Sequence, residues 1–201
     1  MTRMARWMVA IAVAAIPASV AARTGDDPLA LVKAKYDEIQ AVVKKYPEKA
    51  AMQKGIKDVM ETFVDYKELG KRTLMPHWDK LKRAEQDDFV KEFKQMIQRT
   101  YVKRFDPDKE VRIEYKGDAV MAGDGTATVD SVVHSGRSEA RVVYRFHKAG
   151  GKWMAFDVAI DDVSMVQNYR KQFHDIMTKN APNGYPELMK KIRNKNAKAQ
   201  E

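Results

Sequence analysis

Apolar residues recur along this chain with two different periods. Up to about residue 104 the spacing is three and four, which stacks side chains on one face of an α-helix. From Val111 to Ile160 apolar and polar residues alternate, as in strands buried on one face. Helical spacing then returns and runs toward the C-terminus.

The helical half divides at its start and stop signals. Asp27 caps and Pro28 opens a helix on Leu29, Val32, Tyr36, Ile39 and Val43, which ends before Pro47. A second helix carries Met52, Ile56, Val59 and Phe63. Asp65 and Glu68 form an acidic capping box, with Val64 and Leu69 as its hydrophobic staple, for a third helix reaching about Met75. Pro76 interrupts, and His77 and Trp78 sit in a short turn. A long helix from about Ala84 to Arg104 then presents Phe89, Phe93, Met96, Ile97 and Tyr101 on one side.

Gly117, Gly123, Gly125, Gly136 and Gly150–Gly151 punctuate the alternating half into a meander of short connections. Its strands carry Val111, Ile113 and Tyr115, then Ala127, Val129, Ser131 and Val133. Ala140, Val142, Tyr144 and Phe146 follow, with Arg141, Arg145 and His147 outward. The last strand places Met154, Phe156, Val158 and Ile160 on one face. It breaks at Asp161–Asp162 and restarts as a helix capped by Ser164, with Val166, Tyr169 and Phe173 on its apolar side. Asn180 to Gly184 reads as a loop. Pro186 opens a basic terminal helix on Leu188, Met189 and Ile192, with Asn194 to Glu201 frayed. Helices, a meander and helices again give an α+β domain, with the antiparallel sheet packed on a helical layer.

The first 22 residues stand apart. Arg3 and Arg6 precede an apolar run from Trp7 to Ile16 and the small residues Ser19 to Ala22, the pattern of a secretory signal peptide cleaved after Ala21 or Ala22. Residues 23–196 are then expected to form one domain, with 197–201 a flexible tail. The chain has no cysteine, which excludes disulfides and lipid attachment through cysteine and fits export to a bacterial periplasm. The formal charge of +9 falls by two with the leader and still favours anionic partners; export makes nucleic acid the least suited of them. Three of the twelve methionines lie in the leader; the others suit core filling or an adaptable apolar surface.

Three segments carry a family resemblance. They are Phe63 to Gly70 continuing through Leu74 and His77–Trp78, Phe89 to Phe93 through Arg99–Thr100–Tyr101, and Trp153 to Phe173 with Asn168–Tyr169–Arg170–Lys171–Gln172–Phe173. In order and spacing the chain resembles the MlaC family of periplasmic phospholipid-binding proteins, also called toluene-tolerance proteins. The family often has Glu-Gly where this chain has Asp161–Asp162, a variant similar to the hopanoid-associated branch. The resemblance implies a non-enzymatic shuttle without cofactor. It would pass phospholipid between an outer-membrane lipoprotein complex and an inner-membrane ABC transporter with an MCE-type subunit. It also implies a deep apolar pocket between sheet and helices, holding acyl chains with the headgroup at the mouth. A monomer is expected.

A carrier of this kind must cover about 0.8 kcal/mol for every methylene it keeps from water, which calls for an enclosed cavity rather than a groove. The expected strand lining is Val142, Tyr144, Phe146, Phe156, Val158 and Ile160; Phe93, Met96, Ile97, Val166 and Tyr169 are expected from helices. Periodicity alone fits a closed core equally well. Arg137, Arg141, Arg145, Arg170 and Lys171 are the candidates for headgroup or partner contact, or else ordinary solvated charge.

No catalytic group stands out. Histidines 77, 134, 147 and 174 lack ligand spacing, so no metal is expected. His134 and His147 fall outward and His77 reads as structural. Ser164 lacks the setting of a hydrolase nucleophile. Asp157, if buried, needs a hydrogen-bonding or cationic partner, and Asp161–Asp162 read as turn residues. Two other readings stay open. An NTF2-like isomerase or dehydratase would need Asp130, Asp157 or Tyr169 at a pocket base, and an interaction domain would have a filled core.

Overall fold

The computed structural model describes residues 27–103, 105 and 110–198. The proposed leader and residues 199–201 lie outside them. Helices α1 (Pro28–Lys45), α2 (Lys49–Glu61), α3 (Tyr66–Leu74) and α4 (Arg83–Val102) come first, with a 3-10 turn at Trp78–Lys80 before α4. Strands β1 (Val111–Tyr115), β2 (Val120–Met121), β3 (Thr126–Ser135), β4 (Ser138–Ala149), β5 (Lys152–Ile160) and β6 (Val163–Ser164) follow. Helices α5 (Met165–Lys179) and α6 (Gly184–Lys198) close the chain. The expected α+β meander is present, with strand order β1-β3-β4-β5-β6 and β2 beside β3, every pairing antiparallel.

Asp27 accepts from the Leu29 N–H at 2.9 Å, and Pro28 follows where its missing N–H costs nothing. Asp65 caps α3 by accepting from the Lys67 and Glu68 N–H groups. The reciprocal half of the expected capping box is absent. The Asp65 N–H donates to the Ala155 carbonyl at 2.8 Å, while Glu68 accepts from Arg72 Nε at 2.7 Å. Phe63, expected inside the second helix, lies beyond its end, and its carbonyl accepts from the Ala155 N–H at 2.7 Å. The chain between α2 and α3 is thus tied onto the last long strand.

Register defines the inner face of the sheet. Tyr144 stands opposite Val129 on one side and Val158 on the other, and Val142 stands between Ser131 and Ile160. The expected alternation of Met154, Phe156, Val158 and Ile160 breaks here. Arg145 pairs with Asp157 and Phe146 with Ala155, so Phe156 is the extra residue of a β-bulge. The bulge puts Trp153 and Ala155 in line with Val158 and Ile160, and moves Met154 to the outer side beside His147.

Two apolar bodies flank the inner face. Leu29 and Val32 of α1 pack with Ala127, Val129, Phe146, Trp153 and Ala155 of the sheet. Phe89, Phe93, Tyr169 and Phe173 form a knot of aromatic rings between α4 and α5, with centroids 5.1–5.7 Å apart. Helix α6 begins two residues before the expected Pro186 start and continues through Lys198. Asn196 is buried, and its side-chain amide donates to the Glu92 carbonyl at 3.0 Å and to the Glu92 carboxylate at 2.9 Å. These bonds account for order where the sequence suggested fraying from Asn194.

Candidate lipid cavity

Between the inner face and the helices the side chains do not meet, and a cavity of about 380 Å³ remains. Its sheet wall comprises Val111, Val133, Tyr144, Val158 and Ile160, with Ala155 and Phe156 at the bulge. Its helical wall comprises Ile39 and Val43 of α1, Met60 at the end of α2, Leu69 of α3, and Ile97 and Tyr101 of α4. Gln40 and Ser135 are among its few polar lining residues. The size suits a ligand site, since such pockets span about 300–1,000 Å³.

Five of the residues expected to line a pocket do so: Ile97, Tyr144, Phe156, Val158 and Ile160. Six do not. Phe93, Met96, Val166 and Tyr169 belong to the packed helical core, Phe146 packs beneath the start of α1, and Val142 is buried outside the cavity. Helical geometry explains the division on α4. A step of four residues advances about 40° around the axis. The stripe through Phe89 and Phe93 therefore faces the other helices, and its continuation through Ile97 and Tyr101 faces the cavity. Helix α1 adds Ile39 and Val43 to the lining; their spacing marks an apolar face but not what stands opposite it.

Asp157 reaches the cavity wall but is engaged from three directions. Its carboxylate accepts from Arg145 Nη1 at 2.7 Å, from Ser164 Oγ at 2.6 Å and from the Val166 N–H at 3.0 Å. Ser164 Oγ in turn accepts from the Gln167 N–H, so aspartate and serine together cap α5. Burial pushes the Tyr144 phenol above its usual range, which keeps it uncharged in the cavity wall.

The other expected residues are dispersed. Arg141 binds Asp130 through Nε and Nη2 and Asp162 through Nη1, and its hydrogen bond holds the Asp130 carboxyl below the usual range. Asp130 and Asp157 thus both have cationic partners, and Tyr169 lies in the aromatic knot. Arg137 is exposed in the β3–β4 turn, two residues beyond the lining Ser135. Arg170 and Lys171 lie on α5, outside the cavity. His147, on the outer face, meets Asp65 at 3.0 Å, and His77 meets His174 at 3.0 Å.

A family model described as "MlaC protein" matches residues 33–194. Among solved structures, a phospholipid-binding protein from Ralstonia solanacearum, determined in complex with a phospholipid, superposes with a TM-score of 0.78. The two are 22% identical over 87% of this chain and 99% of that one, so the likeness is one of fold. No curated protein matches this chain.

Proposed function

Because the chain belongs to the MlaC family, we propose that it is a periplasmic lipid carrier, exported by its N-terminal leader, which encloses acyl chains without transforming them. The observation that carries this reading is the apolar hollow left between sheet and helices in an otherwise packed domain. The phospholipid held by the Ralstonia solanacearum protein of like fold supports the same ligand class. The acyl-chain contacts proposed here are Ile97, Tyr144, Phe156, Val158 and Ile160, joined by Val43 and Tyr101. Arg137, near Ser135, is the proposed headgroup contact. The passage of lipid between an outer-membrane lipoprotein complex and an inner-membrane ABC transporter completes the proposed role.

The geometry favours this over an NTF2-like isomerase. A general base needs a carboxylate free to take a proton, and the Asp157 carboxylate already accepts three hydrogen bonds.

Native mass spectrometry of gently purified protein tests the proposal, with bound phospholipid as the expected result. Ile160→Asp, which places a charge in the cavity wall, should lower that occupancy. Val163→Asp adds the same charge at an exposed position outside the cavity and should not. A lipid-free mass for the unaltered protein, or equal occupancy in both variants, would sink the assignment.

A further inference from the structure

A second hollow, of about 370 Å³, lies on the outside of the molecule between α5 and the turn that follows α3. Gln167, Arg170, Lys171 and His174 form one wall, at the i, i+3, i+4, i+7 spacing of a single helix face. Met75 and Pro76 form the other, and Met75 is one of few large apolar side chains exposed to solvent. This cleft and the lipid cavity share no lining residue.

The cleft is braced and unneutralised. His77 and His174 hold its two sides together through their 3.0 Å ring contact. Arg170 Nε donates to the Arg72 carbonyl at 2.9 Å, which fixes the guanidinium. Neither Arg170 nor Lys171 has a carboxylate partner among the described residues, and no acidic side chain lines the hollow. Arg141, Arg145 and Arg193, by contrast, are each ion-paired.

We propose that this cleft receives an acidic protrusion of a partner protein, placing a carboxylate on Arg170 and Lys171 and an apolar neighbour against Met75 and Pro76. The inference rests on the carrier reading, since lipid held in the cavity has to be handed to something the carrier docks on. Charge complementarity selects the acidic group. The apolar lip of Met75 and Pro76 makes the site more than an ion-binding spot.

The probe is an acetylated, amidated peptide of alternating leucine, aspartate and glutamate, titrated into the full exported chain and followed by amide NMR shifts. Shifts should concentrate at residues 167–174 and 75–77. The peptide affinity should fall as salt rises from about 0.1 M to 1 M, over which the screening length shortens from about 10 Å to 3 Å. Lys171→Glu, at an exposed position, should weaken it about fivefold or more, the size of one lost charge contact. Shifts elsewhere, or an affinity indifferent to Lys171→Glu, would overturn the proposal. So would equal shifts from inorganic phosphate, which would make the cleft a simple anion site. Phosphatidylglycerol vesicles that bind the protein where the peptide does not would also overturn it, in favour of a bilayer surface. Lipid occupancy by native mass spectrometry reports on the cavity separately, so the failure of one reading is not mistaken for failure of the other.

Discussion

Asp157 shows how one side chain can hold two elements in place. It lies on β5, yet it caps the first turn of α5 and neutralises Arg145 of β4. Asp157→Ala would leave the Arg145 cation unpaired and the α5 N-terminus short of an acceptor. The Arg145 side chain is 36% exposed and can be hydrated. The loss is therefore that of the α5 cap and a buried hydrogen bond, about 1–2 kcal/mol, and urea unfolding should show a loss near that size. His77 supplies a pH-dependent term. Burial holds its imidazole below the ordinary histidine value, with repulsion from His174 and Lys80 adding to the effect. The unfolded chain therefore takes up this proton first. The stabilisation is complete above the ordinary value and is lost as pH falls through it toward the lower folded one. Between about pH 7.5 and 5.5, a window that brackets the ordinary histidine pKa, the urea midpoint should fall, and fall less in His77→Asn. An equal fall in both proteins would assign the pH effect to other groups.

At the scale of elements, local signals were legible where one residue performs a local task. Asp27 with Pro28, Asp65 and Ser164 cap the helices their positions announced. The bulge at Phe156 was not legible, because it depends on how β5 pairs with β4 and not on either strand alone. It brings Ala155 to the hollow beside Val158 and Ile160, a lining residue that simple alternation along β5 would turn to the other face. The packing of α6 was equally hidden. A Cβ at Gly184 would stand 2.2 Å from the Met177 carbonyl oxygen, a backbone atom that cannot yield. Gly184→Ala should accordingly destabilise the protein by about 1–3 kcal/mol, the usual cost of overpacking, although alanine is the better helix former. A midpoint unchanged or raised in thermal unfolding would show that α6 can shift away from α5 at little cost.

For the whole molecule, the proposed binding of lipid in the cavity would link occupancy to stability. A ligand that binds only the folded form, at a hundred times its Kd, contributes about 2.7 kcal/mol. Delipidated protein should therefore unfold at a lower temperature, and re-addition of phospholipid should restore the midpoint in a concentration-dependent way. Identical melting of stripped and loaded protein would mean that the cavity is not where lipid binds.

The order of the main helices and strands, the meander and the apolar face of each element follow from the sequence alone, because periodicity, caps and turns act between near neighbours in the chain. Which apolar faces close against one another and which stand apart is decided only in the folded molecule. Phe93 and Ile97 belong to one stripe on one helix, yet one is sealed among aromatic rings and the other borders empty space. That difference arises from the direction each side chain takes about the helix axis and from what the remaining elements place opposite it, and spacing along the chain records neither.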